Sequence, residues 1–244
     1  MNMQRYFVPP GTISDGHAVL SGGDFHHIFR VMRMKPGDEV LLNDVDGRSF
    51  LARIERFSAD AVFLSVQKEA SGNPSLNVTV AQGLIRREAM EWMVEKATEF
   101  GVSGIIPTLF SRSVVKIEDA ETGRKKTERL QKIAKEAAEQ CHRTAMPRIG
   151  EPVLLSALPF SQFDRIWVAY EAAGPEDGLA AALVETAPDD RILAIIGPEG
   201  GIALDELAFL RTQGARVIQL GPRILRSESA CLYLLSVLSH HWGR

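Results

Sequence analysis

The chain has 244 residues, 45% of them apolar and 24% charged, with a formal net charge of −3 and two cysteines. That length accommodates one large domain or two smaller ones; no apolar run approaches the ~20 residues of a membrane span and no export signal opens the chain, so a cytoplasmic, membrane-free protein is expected. Cys141 and Cys231 stand far apart without C-x-x-C or zinc-ligand spacing, which predicts reduced core thiols and neither a disulfide nor a metal site.

Residues 1–70 read as a small β domain with one helix. Asp24 is placed to cap a helix in which Phe25, Ile28, Phe29 and Met32 follow the i, i+3, i+4, i+7 spacing. His26, Arg30 and Arg33 share its other side. His26 and His27 read as surface or capping residues, because no carboxylate or cysteine accompanies them at ligand spacing. Strand-like runs follow at 39–43, 48–57 and 61–67, the first two joined around Asp46-Gly47, a hairpin signal. The pattern fits a compact barrel. Ser71, Gly72, Asn73 and Pro74 then form a natural linker, dividing the chain into domains 1–70 and 75–244.

Beyond the linker, strand-like runs at 78–83, 104–109, 165–170, 191–196 and 216–220 alternate with helical segments, the pattern of a mostly parallel α/β sheet covered on both faces. Met90, Met93, Val94 and Ala97 make one apolar helix stripe, closed by Gly101. Leu130, Ile133, Ala134, Ala137 and Cys141 make another. Neither G-x-G-x-x-G nor a P-loop occurs, which argues against an ordinary dinucleotide or nucleoside-triphosphate site.

Two glycine- and proline-punctuated loops carry the chemical signal: I-I-G-P-E-G-G at 195–201 and L-G-P-R-I-L-R-S-E-S-A at 220–230. Each follows a strand-like run and precedes a helix-like one, so both belong at the carboxyl ends of parallel strands, where such sheets bind ligands. Their glycines permit positive φ and close approach of a ligand to bare backbone, and Pro198 stiffens the first turn. Asp205 and Glu206 open a helix carrying Leu207 and Leu210, with Gly214 at its end. Ser227 is placed to N-cap the last helix, whose stripe is Ala230, Leu234, Val237 and Leu238, and Arg226 and Glu228 flank that helix start.

Charge is uneven along the chain. Residues 71–148 hold 13 basic against 10 acidic side chains, whereas 149–244 hold 7 against 12. The central excess includes Arg86, Arg87, Arg112, Lys116, Arg124, Lys125 and Lys126. Such a run forms either a solvated face or a modest nucleic-acid patch.

Taken in order, the two loops resemble the C-terminal signature of the RsmE family, SPOUT-class methyltransferases that form N3-methyluridine in 16S ribosomal RNA. R-Y-F-V at 5–8, D-F-H-H-I-F-R-V-M-R-M-K-P-G-D at 24–38, E-K-A-T-E-F-G-V at 95–102, P-T-L-F-S-R-S-V-V at 107–115 and E-A-A-E-Q-C-H-R at 136–143 match that family as well, so the resemblance spans almost the whole chain. Three places depart from its pattern. L-I-R-R-E at 84–88 replaces a lysine-glycine pair, R-S-E-S-A replaces R-T-E-T-A, and Cys141 replaces a serine.

The resemblance implies a PUA-like RNA-binding β-barrel followed by a trefoil-knotted SPOUT domain that binds S-adenosylmethionine and works as a homodimer. It places the cofactor on Ile196, Gly197, Pro198, Glu199, Gly200 and Gly201, on Leu220, Gly221, Ile224 and Leu225, on Ser229 and Ala230, and beside Tyr170 and Glu171. It assigns RNA contact to Arg5, His26, His27, Arg30, Arg33, Arg86, Arg87, Arg112, Lys116, Gln140 and Arg143. The implied substrate is 16S rRNA within the small ribosomal subunit, and the reaction needs no metal. In that chemistry Arg226 is the candidate to stabilise charge developing on the uracil, and Glu228 is an orienting group or general base. Other readings stand beside this one: a SPOUT enzyme for another rRNA or tRNA nucleotide, a non-catalytic RNA-binding protein, or an α/β enzyme using the glycine loop as an anion nest.

Overall fold

A computed structural model of the protein describes residues 3–44, 47–70, 75–117 and 119–243. The chain forms two compact units, Met1–Pro74 with Ala138–Met146, and Ser75–Ala137 with Pro147–Arg244.

The first unit is built on six strands: β1 (Arg5–Phe7), β2 (Ile13–Ser14), β3 (His17–Ser21), β4 (Glu39–Asn43), β5 (Ser49–Phe57) and β6 (Ala61–Ala70). Their order is β1-β4-β5-β6-β3-β2, with β1 parallel to β4 and every other pairing antiparallel. Side chains alternate across such strands. Ala18 and Leu20, Val40 and Leu42, Ala52 and Ile54, and Val62 and Leu64 therefore turn inward together, closing one core with Tyr6 and Val8. Register irregularities at Leu51/Ala52 and Ile54/Arg56 bend β5 along its length. Residues 138–146 belong to this unit, and hydrogen bonds tie them to its strands. Asn43 Nδ2 donates to the Arg143 carbonyl at 3.0 Å, and the Phe7 N–H donates to Glu139 Oε1 at 3.3 Å.

The expected helix capped by Asp24 takes a different form. It starts earlier, as α1 (Gly22–His26) after Ser21, and runs into a π-helical turn at His27–Val31. The Met32 N–H reaches back five residues to the His27 carbonyl at 2.8 Å, and this wider turn breaks the four-residue repeat. Of the predicted stripe only Ile28 is fully buried, while Phe29 and Met32 are 40% and 39% exposed. Asp46 of the predicted hairpin turn and the 71–74 linker lie outside the described residues.

The second unit carries β7 (Val78–Gly83), β8 (Gly104–Leu109), β9 (Arg148–Ile149), β10 (Val153–Leu154), β11 (Arg165–Ala169), β12 (Ile192–Ile196) and β13 (Arg216–Ile218). The order is β10-β8-β7-β12-β11-β13, with β9 beside β8, and every pairing between named strands is parallel. All five residues of β12 are buried. Ile192 and Ala194 enter one core and Leu193 and Ile195 the other, as a sheet covered on both faces requires.

Five helices cover it: α2 (Arg87–Glu99), α3 (Ala120–Gln140), α4 (Leu179–Val184), α5 (Leu204–Thr212) and α6 (Ser227–Trp242). Met90, Met93, Val94 and Ala97 of α2 meet Leu234, Leu235 and Leu238 of α6 on one face, and Leu207 and Leu210 of α5 lie on the other. Among the described residues neither cysteine forms a disulfide, and burial pushes the Cys231 thiol up to about 12. After β13, at the edge beyond β11, the chain returns so that α6 packs on α2, β7 and β12.

Strand β7 ends where backbone meets backbone. A Cβ on Gly83 would overlap the Pro198 nitrogen and lie 2.7 Å from the Gly197 carbonyl carbon. Gly83→Ala is therefore expected to lower stability by about 1–3 kcal/mol, the usual cost of overpacking, read as the midpoint of urea unfolding. An unchanged midpoint would show that the contact is not tight.

Candidate active site

The carboxyl ends of β7, β12, β11 and β13 open into one cavity of about 770 Å³, in the range that holds small-molecule ligands. Its floor is the strand ends Ile196 and Ala169; its walls are the loop 197–202 after β12 and the loop 219–226 after β13. Tyr170 and Glu171 close one side, Arg86, Ala89 and Val114 another, and the start of α6 supplies Ser227, Glu228 and Ala230.

Local geometry explains the loop sequences. Gly201 has φ 73° and Gly221 φ 120°, conformations suited to glycine. Nothing lies within 4 Å of a Cβ built on Gly221, so its backbone stands open to the cavity. Gly200 is constrained differently: a Cβ there would come 2.7 Å from the Arg112 carbonyl oxygen, so this glycine also admits the 110–114 loop. Gln219 Nε2 donates to the Ala173 carbonyl at 3.0 Å and ties down the loop after β11.

Glu199 of the first loop and Glu206 of the helix after it are engaged with backbone. Glu199 Oε1 accepts the Arg86 N–H at 3.2 Å, at the start of α2. Glu206 accepts the Ala203 N–H at 2.9 Å and the Ser111 N–H at 2.6 Å, fixing the start of α5 and the loop after β8. Glu228 and Arg226 both line the cavity, Arg226 exposed at the N-cap of α6 and Glu228 half-buried in its first turn, where the helix dipole favours a carboxylate.

Ser227 does not cap α6. The helix starts one residue earlier, with Arg226 as N-cap and no side-chain cap, because the Ser227 hydroxyl donates to the Gly197 carbonyl at 2.5 Å instead.

The residues expected to hold a cofactor converge here, with one exception. Ile196 to Gly201, Leu220, Gly221, Ile224, Leu225, Tyr170, Glu171 and Ala230 line the cavity; Ser229 does not. Arg86, expected at RNA, lines it too. Ala89, Val114 and Gln219 also line the cavity from outside the two glycine loops, where no sequence pattern marks them. Gln82 is fully buried beside Ile196 at the end of β7. Its one signal is a polar residue ending an apolar strand. Bare glycine backbone, apolar walls from Ile196, Leu220 and Leu225, and nearby carboxylates suit a nucleoside carrying a cationic tail.

The residues expected at RNA divide by environment. In the first unit His26, Arg30 and Arg33 are exposed, with the Arg30 guanidinium 5.3 Å from the centre of the Phe29 ring. His27 Nδ1 lies 2.9 Å from the Tyr6 hydroxyl, so it serves the fold. Gln140 is exposed at the end of α3. Arg5 is half-buried, and Arg143 is 7% exposed, its guanidinium pushed down to about 10 by burial yet still protonated at neutral pH. In the second unit Arg112 and Lys116 are exposed, while Arg87 pairs with Glu91 at 2.9 Å. Arg124 and Lys125 likewise pair along α3 with Glu128 and Glu121, which makes that run a solvated helix face.

Two family descriptions match the chain: an RNA methyltransferase domain over residues 72–239 and an RNA methyltransferase PUA domain over 20–67. The ribosomal RNA small subunit methyltransferase E of Bacillus subtilis (strain 168) is 37% identical over 98% of this chain and 96% of its own. A methyltransferase from Legionella pneumophila, solved with SAM bound, superposes with a TM-score of 0.84 at 30% identity, covering 98% of both chains. The ribosomal RNA small subunit methyltransferase E of Neisseria gonorrhoeae, bound to S-adenosyl methionine, gives 0.82 at 25% identity, again covering 98% of both. Fold, site and relatives agree: the chain belongs to the ribosomal RNA small subunit methyltransferase E family.

Proposed function

We propose that the protein methylates N3 of a uridine in 16S rRNA, using S-adenosylmethionine held in the cavity at the ends of β7, β11, β12 and β13. The observation that carries this reading is the joining of both glycine loops and the first turn of α6 in one cavity. Bound there, S-adenosylmethionine supplies an electrophilic sulfonium methyl group. The chain's own tasks are to align uridine N3 with that methyl and to stabilise the negative charge that spreads to the uracil carbonyls as N3 loses its proton.

Arg226 suits the second task. It stays protonated, donates through a planar fork, and stands exposed on the cavity wall at the N-cap of α6. Glu228 orients the uridine or accepts its proton, whereas Glu199 is engaged by the Arg86 N–H and serves the loop.

In this reading residues 1–70 form the RNA-binding domain and 75–244 the catalytic one. His26, Arg30 and Arg33 contact the small subunit's rRNA from the first, and Arg112 and Lys116 from the second; the enzyme works in the cytoplasm. It acts as a homodimer. Trp92 on α2 and Tyr233 on α6 are 47% and 45% exposed, on two helices that pack together, and offer an apolar face to a second copy. Met90 and Met93 of α2 are fully buried and belong to the core instead.

Arg226→Lys is expected to slow single-turnover methyl transfer by about 10²-fold while S-adenosylmethionine affinity stays within about twofold, since charge is kept and the fork is lost. A near wild-type rate would move the central role to Glu228. Gly221→Val puts a branched side chain into the open cavity at a positive φ, and calorimetry is expected to show S-adenosylhomocysteine binding weakened by more than about tenfold. Unchanged affinity in the folded variant would place the cofactor elsewhere. Arg30→Ala combined with Arg33→Ala is expected to weaken binding to small-subunit rRNA and to flatten its salt dependence, with cofactor affinity retained. Loss of cofactor binding as well would instead give that helix a folding role.

A further inference from the structure

We propose that Gln82 is a positioning residue that, through Ser227, locks the cofactor loop to the catalytic turn of α6. The inference rests on the reading of the cavity given under Proposed function.

Ser227 Oγ lies 2.5 Å from the Gly197 carbonyl oxygen, which can only accept, so the single hydroxyl proton is committed there. Oγ also lies 2.6 Å from the Gln82 amide, and with its proton spent it can only accept from that side. The facing atom of Gln82 must therefore be Nε2. Its second proton goes to the Gly83 carbonyl at 3.1 Å, another group that only accepts. Both neighbours demand donors, so the orientation of the amide is forced. Flipping it would break both bonds.

The cost of that arrangement is visible. Gln82 is fully buried, and among the described residues its Oε1 has no hydrogen-bond partner. A buried amide oxygen without a partner is an expense that native cores avoid, and where one persists it marks a local arrangement kept for another reason. Its position supplies the reason. Gln82 pairs in register with Ile196, the residue before Gly197, and faces the same side of the sheet as Val78 and Val80, where α6 packs. One side chain thereby joins three segments: the end of β7, the loop opened by Gly197, and the helix start that bears Arg226 and Glu228. Leucine would fill similar space but would offer the Ser227 oxygen no donor.

Such a link couples the two halves of the site. Without a donor at position 82 the Ser227 oxygen keeps its bond to the Gly197 carbonyl but loses its tie to the end of β7, so the loop and the helix start that bears Arg226 lose their shared anchor on the sheet. Both cofactor affinity and the rate at saturating cofactor should then fall. A residue that merely stabilised the fold would lower the unfolding midpoint and leave the saturated rate alone.

The test uses the full chain, with S-adenosylhomocysteine as the calorimetric probe and single-turnover methylation of small-subunit rRNA as the rate. Gln82→Met keeps the shape and removes the donor; Ser227→Ala removes the hydroxyl. Each is expected to weaken the probe by about tenfold and to slow the saturated step by at least as much, the scale of a lost buried hydrogen bond. The double variant is expected to be no worse than either single one, because both break the same chain of bonds. Ser227→Thr, which restores a hydroxyl and is the residue of the R-T-E-T-A pattern, should recover both quantities. Additive losses in the double variant, or a wild-type saturated rate in Gln82→Met, would overturn the proposal. If Gln82→Met does not fold, Ser227→Ala against Ser227→Thr decides alone, with equal saturated rates overturning it. Failure of the unaltered protein to bind the probe would instead sink the cofactor reading itself.

Discussion

The close approach of Gly83 to the Gly197–Pro198 peptide is the constraint from which the rest of the site follows. Only a residue without a side chain lets the end of β7 come this near to the loop leaving β12. That contact brings the loop over the strand ends, where Gly200 admits the Arg112 backbone and Glu199 reaches the start of α2. Once the loop is fixed, the returning chain has one place to begin its last helix, and the Ser227 hydroxyl on the Gly197 carbonyl marks it. The cavity is what remains between these backbone contacts.

Electrostatics divide along similar lines. Cations on the helix surfaces are largely engaged: Arg87 and Arg129 share Glu91, and Lys96 lies between Glu95 and Glu99. Exposed pairs of this kind contribute little to stability and mostly cancel charge. Arg86, Arg223 and Arg226, in contrast, line the cavity together with Glu171, Glu199 and Glu228, so its charged side chains balance in number.

Much of the second unit was legible in the sequence because a parallel sheet buried on both faces writes itself as apolar runs, and Val78–Gly83 and Gly104–Leu109 fall where those runs end. The two loops were legible because glycine and proline have few other uses in such succession. The helix after Ser21 was not, because a π-turn shifts the repeat from which its buried face was read. Short strands such as Arg148–Ile149 are too brief to show a period, and the joining of residues 138–146 to the first unit is a long-range event that no local pattern records. Ser227 was misplaced as a cap because a hydroxyl before a helix has that use by default, and its actual partner is thirty residues away. A knotted path is invisible to any periodicity; it entered through the family resemblance alone.

The central claim is that the cavity at the strand ends delivers a methyl group to N3 of a uridine in the small subunit's rRNA. The most direct measurement incubates the protein with S-adenosylmethionine and small ribosomal subunits from a strain lacking its gene, then maps N3-methyluridine in the rRNA by mass spectrometry. The account predicts a single new N3-methyluridine that appears with the unaltered protein and is strongly reduced with Arg226→Lys. A methyl group on another atom or another RNA, or full modification by the altered protein, would contradict it.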